Sequence, residues 1–387
     1  MNLKAAYRIG NVEEYYFSRK LKEIKQRVNN GEEIINLGIG NPDMDPALSV
    51  LEATSASLAE PGNHTYQSYN GSEALRQAMA KWYLRFFDVD LDSNNEILPL
   101  MGSKEGIMHI SMAFLNPGDK VLIPDPGYPT YNAVASMMHA ETVTYDLLQE
   151  NNWKPDFEAL EEIDLTQVKL MWVNYPNMPT GADATEELFE QLIAFGLKHH
   201  ILIVNDNPYS FILNENPRSI MQIKNASKTA IELNSLSKSF NMAGWRIGMV
   251  VGSKKILQHI LNVKSNMDSG MFLPIQAGAI AALSLGEKWF DELNSIYRKR
   301  RQLVYQILVR IGCKYNNDSV GMFVWSKTQK ENAEELSEEL LDRAGVFITP
   351  GSVFGNNGNE YLRISLCTPE PVLIRSLEKL KNAGYGC

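Results

Sequence analysis

Between about Gly102 and Ser253 the chain repeats one pattern: a short run rich in Val, Ile and Leu, then a longer segment with helical spacing. The runs are KVLIP from Lys120, ETVTYDL from Glu141, VKLMWV from Val168, ILIVND from Ile201, TAIEL from Thr229 and RIGMVVG from Arg246. Several are apolar almost throughout, whereas a strand with one wet face would alternate. Strands of this kind must be covered on both faces. The pattern therefore predicts an α/β layout, a largely parallel sheet between helices, with ligands at the carboxyl ends of the strands.

After about Met271 the texture changes to long amphipathic helices, then GMFVW from Gly321, VFITP from Val346 and YLRISL from Tyr361, then a last helix. This predicts a second, smaller α+β domain. The expected division is an N-terminal arm with part of the small domain over 1–45, a large domain over 46–274 and the small domain over 275–387. A charged helical pattern runs from Val12 to Asn29. Lys+Arg 37 against Asp+Glu 46 gives a net charge of -9, which repels nucleic acid and anionic membranes unless a basic patch intervenes. The densest basic run, Arg298 to Arg301, reads as the solvated face of a helix. No run of about 20 apolar residues and no secretory signal is present, so the expectation is a cytoplasmic protein with no membrane segment. Cys313, Cys367 and Cys387 are widely spaced and read as reduced thiols, and no metal-ligand spacing is seen.

Several polar residues stand where chemistry is to be expected. Lys238, in NSLSKSFNMAGWRIG, follows a buried-type strand, where an ammonium is costly unless paired, neutral or covalently used. Ser235 and Arg246 flank it, and hydroxyls with a guanidinium suit a phosphate. A solvated loop lysine is the plainer reading. Asp206 ends the run ILIVND, with Tyr209 three residues on, and reads either as a turn cap or as the partner of a protonated ring nitrogen. GSKEG opens a helix, so Ser103 is either a plain N-cap or part of a phosphate cradle. In YLRISL the period of two places Tyr361, Arg363 and Ser365 on one face, away from Leu362 and Ile364. Arg363 is then either solvated or turned into a cleft to grip a carboxylate. Tyr66 and Tyr128 are compatible with ordinary packing.

These residues, in this order, resemble the class I/II aminotransferase family of fold-type I pyridoxal-phosphate enzymes over nearly the whole chain. The most specific matches are SLSK…GWRIG, NYPNMPTG from Asn174 and DNPY from Asp206. The resemblance implies a mainly parallel seven-stranded sheet in the large, cofactor-binding domain. It implies a Lys238 internal aldimine with pyridoxal 5'-phosphate, Asp206 on the pyridine nitrogen, Tyr209 on the 3-hydroxyl and Tyr128 stacked on the ring. Ser103, Lys104, Ser235 and Arg246 match phosphate-binding positions, with Ser237 a further candidate. Tyr66 matches a tyrosine that reaches the neighbouring subunit's cofactor phosphate, which implies a homodimer with shared sites. Arg363 matches the arginine for the substrate α-carboxylate, assisted by Gly40, and Tyr15 is placed in the substrate pocket. EEYYF…LGIGNPD and KSNMDSGMF look closest to the diaminopimelate and alanine aminotransferase branch.

One departure from the family pattern stands out. Met178 occupies the place of an Asn before PTG, and Asn177 is one residue early. The implied activity is transfer of an amino group between an L-amino acid and a 2-oxo acid. A carbon–sulfur β-lyase on the same fold is the nearest alternative. A non-catalytic regulator would need an added basic DNA-binding segment, and a Rossmann nucleotide binder would need GxGxxG after a strand; neither is found.

Overall fold

The computed structural model describes residues 3–9, 14 and 16–386. Tyr15, Val12 and Cys387 lie outside them. The predicted N-terminal helix runs from Tyr16 to Asn29 and is followed by a two-residue strand, β1 (Ile35–Asn36). The main sheet comprises β2 (Ile97–Leu100), β3 (Lys120–Asp125), β4 (Glu141–Asp146), β5 (Val168–Val173), β6 (Leu202–Asp206), β7 (Ala230–Ser235) and β8 (Gly248–Gly252). Its order is β2-β8-β7-β6-β5-β3-β4, seven strands as the resemblance implied. Strands β7, β6, β5, β3 and β4 are mutually parallel, and β8 runs antiparallel to both its neighbours.

Both faces of the inner strands are dry, which accounts for their continuous apolar runs. Leu170 and Trp172 of β5 pack with Ile107, Val121, Val204 and Leu233 on one face. Met171 and Val173 pack with Leu188, Leu192 and Ile203 on the other. A charged residue at any of these positions would be buried without a partner. Strand β6 is the middle strand of seven, so its carboxyl end opens at the centre of the sheet.

The remaining strands are β9 (Lys314–Tyr315), β10 (Phe323–Lys327), β11 (Val346–Phe347), β12 (Thr349–Pro350) and β13 (Tyr361–Ser365). Four of them form an antiparallel sheet in the order β12-β13-β10-β9, while β1 pairs in parallel with β11. The segment around β1 thus joins the carboxyl-terminal third of the chain.

The structure corrects three readings. Strand β2 was missed because Pro99 interrupts it; proline is tolerated there because β2 is an edge strand, paired only with β8. Arg300 is not on a solvated face: it is buried, with Nη1 and Nη2 on the two carboxylate oxygens of Asp43 at 2.6 and 2.8 Å. Helical spacing puts it beside Tyr297 and Val304 on the buried side, and the bidentate pair offsets its desolvation. Nor does Arg363 escape apolar packing. Both faces of β13 are buried, and the guanidinium lies over the rings of Phe323 and Phe354 at 4.0 and 4.6 Å.

Candidate active site

A cavity of about 520 Å³ opens where β6 and β7 end, and its lining brings together residues from distant parts of the sequence. Gly40, Ser103, Lys104, Tyr128, Asp206, Tyr209, Ser235, Ser237, Lys238, Arg246 and Arg363 all line it. Tyr66 does not; it stands on the surface, 90% exposed. A second cavity, of about 590 Å³ beside Trp153 and Trp325, holds none of the predicted residues.

Strand ends and tight turns place these groups. Ser235, the last residue of β7, caps the short helix Leu236–Ser239, its Oγ accepting from the Ser237 N–H at 3.1 Å. Lys238 is therefore fixed one turn past the strand. Its Nζ donates to the carbonyl of Gly40 at 2.6 Å. Burial pushes its pKa below the ordinary lysine range; Cys367 opposes the shift, and the Arg363 and Arg246 charges add to it. A neutral amine is a competent base and nucleophile.

Asp206 ends β6 and is buried. Its Oδ2 accepts from the Tyr131 hydroxyl at 2.9 Å, while Oδ1 is a buried atom with no hydrogen-bond partner. The turn-cap reading therefore fails. Burial pushes this carboxyl up to about 6, against the Tyr131 hydrogen bond and with the help of Glu232. A buried acceptor without a donor costs free energy unless a ligand supplies one, and a cation would restore the carboxylate's charge. Burial also holds the Tyr209 phenol well above its usual range, so it is a donor.

The phosphate-like corner depends on a glycine. Gly102 has φ +92, and a Cβ there would stand 2.2 Å from Arg246 Nη2. Gly102, not Ser103, is the N-cap of the helix Ser103–Phe114, and no side chain caps it. The plain-cap reading of Ser103 fails, and the first-turn N–H groups are left for an anion. The Arg246 guanidinium donates to Ala243 O at 2.8 Å and reaches Ser237 Oγ at 3.5 Å.

At the other end of the cavity Arg363 Nη2 donates to Gly38 O at 2.7 Å, and Nη1 lies 3.3 Å from Met178 Sδ. Gly40 leaves no room for a side chain, since a Cβ would stand 2.2 Å from Phe323 Cζ. Met178 lines the cavity; Asn177 does not, and its Oδ1 accepts from the N–H and hydroxyl of Thr180.

A sequence model of the family described as aminotransferase class I and II matches residues 32–379. The chain belongs to that family. An LL-diaminopimelate aminotransferase of Aquifex aeolicus is 40% identical over 371 residues, covering 95% of this chain and 96% of that protein. One from Dehalococcoides mccartyi is 38% identical over 383 residues, covering 98% and 99%. Substrate-bound BacF from Bacillus subtilis superposes with a TM-score of 0.93 at 32% identity, covering 100% of this chain and 99% of that one. A Thermus thermophilus aspartate aminotransferase mutant gives 0.91 at 26% identity, covering 98% and 100%.

The family is pyridoxal-phosphate-dependent, and the cavity of this aminotransferase fits that cofactor. The unpartnered Asp206 Oδ1 suits a ring N–H, the uncapped helix start with Ser235 and Arg246 suits a phosphate, and the Lys238 amine suits an aldehyde. Sequence reasoning missed Tyr131, which holds Asp206, and Asn174. The Asn174 side chain donates to the Asp206 carbonyl and accepts from the Met178 N–H at 2.7 Å, tying two cavity walls together. Tyr131 lies three residues after Tyr128 and Asn174 opens NYPNMPTG, and that proximity was the only signal.

Proposed function

We propose that this aminotransferase moves the amino group of LL-diaminopimelate to a 2-oxo acid, as a cytoplasmic homodimer. The convergence of Lys238, Asp206 and Arg363 on one cavity carries the reaction; the donor is the one in the names of relatives 38–40% identical. When bound, the cofactor supplies the electron sink that makes the substrate Cα–H acidic. Lys238 Nζ takes that proton and returns it. Asp206 Oδ1 would accept the ring N–H, Tyr209 would donate to the ring oxygen, and Tyr128 would pack against the ring. Ser103, Lys104, Ser235, Ser237 and Arg246 would hold the phosphate, joined by Tyr66 of the second copy. Arg363, with Gly40, orients the α-carboxylate so that the Cα–H bond is the one broken. The proposed division at 1–45, 46–274 and 275–387 is supported by the main sheet lying within residues 97–252.

A second reading, an apolar amino donor, is favoured by Phe17, Leu21, Ile39 and Phe323 on the cavity wall. Comparing kcat/KM for LL-diaminopimelate, aspartate, leucine and phenylalanine decides. Preference for diaminopimelate upholds the first reading, and preference for leucine or phenylalanine replaces it.

Three further outcomes follow from these roles. Activity falls on dilution in step with dissociation to monomers, because each site needs two chains; a fully active monomer contradicts this. Arg363→Lys lowers kcat/KM about 10²-fold for every donor and acceptor, since lysine keeps the charge but loses the paired hydrogen bonds and the stacking on Phe323. Wild-type values would remove Arg363 from the site. Met178→Asn lowers the pH midpoint of the bound cofactor's absorbance change, because an amide donates to the ring oxygen and a thioether does not. An unchanged or raised midpoint would mean that position 178 faces only Arg363.

A further inference from the structure

The roles above leave unused a partly buried polar cluster one turn into the helix Ser103–Phe114. Glu105 and His109 stand one turn apart on that helix, and Asp268 comes from the loop after the helix Lys254–Lys264. Their ligand atoms all lie within 4.8 Å of one another. His109 is only 1% exposed, yet neither ring nitrogen makes a hydrogen bond. Nε2 is 3.3 Å from Glu105 Oε1. Glu105 Oε2 is also buried without a hydrogen bond, and Asp268 Oδ2 has only its ion-pair contact with Lys264, at 2.9 Å. Buried polar atoms without partners are rare, and their gathering at one place asks for a ligand that satisfies them together.

Charge and donor type define that ligand. Lys264 pairs with the Asp268 carboxylate, and the Glu105 carboxylate faces the imidazole. One imidazole nitrogen with two carboxylates is the mixed set of zinc, manganese or cobalt, whereas calcium and magnesium prefer oxygen alone. With bonds of about 2.0–2.2 Å, donors in such a site stand roughly 3–4 Å apart, so atoms separated by as much as 4.8 Å have to close by about 1–2 Å on binding, a side-chain rotation.

We propose that Glu105, His109 and Asp268 bind a divalent first-row transition-metal ion that ties the phosphate-side helix to the loops leading to Tyr66. Asp268 also accepts from the Gly270 N–H at 2.8 Å, and Lys264 donates to the Tyr69 carbonyl at 2.9 Å. The ion thereby fixes the helix that carries Ser103 and Lys104 against the two loops. The Lys264 ammonium repels a dication, so micromolar binding is expected.

The test uses tag-free, cofactor-loaded protein, stripped with a chelator and titrated with Zn²⁺ and Mn²⁺ by calorimetry and with Co²⁺ by visible absorption. The expected result is one ion per chain, a rise in thermal midpoint on loading, and at least about 10-fold weaker binding in both His109→Gln and Glu105→Gln. Absence of saturable binding overturns the proposal, as does binding that neither substitution weakens. A thermal midpoint that responds to pH but not to metal also overturns it, in favour of a protonated His109 between the carboxylates. Should His109→Gln fail to fold, the wild-type titration and Glu105→Gln decide alone.

Discussion

Lys238→Ala yields a folded protein whose turnover is at least about 10⁴-fold below wild type, since one substitution removes both the nucleophile and the base. The fold survives because Lys238 sits on a four-residue helix at the cavity edge, and its side chain hydrogen-bonds to Gly40 O. The buried amine is itself a burden to the fold, as its lowered pKa shows. The variant still binds pyridoxal phosphate through Asp206, Ser235 and Arg246, but forms no linkage that borohydride can fix. Borohydride reduction of the wild type followed by peptide mapping places the cofactor on Lys238. Fixation to another lysine would overturn the assignment, as would appreciable turnover in the variant.

Legibility in the sequence followed burial and locality. The runs of β3, β5 and β6 were readable because strands covered on both faces need apolar residues at nearly every position. Strand β2 was not, because an edge strand makes weaker demands and admits Pro99. In the site, Lys238, Ser235 and Arg246 were legible because one strand end and its turn hold them within a dozen residues. Arg363 was legible as a candidate from its strand period, but its burial among Phe17, Phe323 and Phe354 was not, because those rings come from three other segments. Arg300 was misread for the same reason: Asp43, which makes its burial tolerable, lies 257 residues away. Tyr131 and Asn174 act through Asp206, a contact that only the parallel order of β3, β5 and β6 creates.

Asp206→Asn separates stability from function in opposite directions. In the protein without cofactor, burial raises the Asp206 carboxyl from its ordinary value near 3.8 to about 6. A carboxyl with a raised folded-state pKa contributes stability below about pH 4, and that contribution is lost as the pH rises through 6. At pH 8 the fold is therefore about 3 kcal/mol less stable than in acid on account of this group, taking 1.36 kcal/mol for each unit by which burial raises its pKa. Asparagine cannot ionise, and its oxygen can still accept from Tyr131. The cofactor-free variant is therefore close to wild type in stability at pH 4 and more stable at pH 8, as read by denaturant unfolding. With cofactor the order reverses. The cation facing Oδ1 restores the wild-type carboxylate, whereas the neutral amide offers no charge to a protonated ring, so the variant binds cofactor more weakly and turns over roughly 10²–10⁴-fold more slowly. A stability difference that stays flat from pH 4 to 8 would mean that Asp206 is not held in its acid form. Unimpaired turnover would mean that Oδ1 faces no cation.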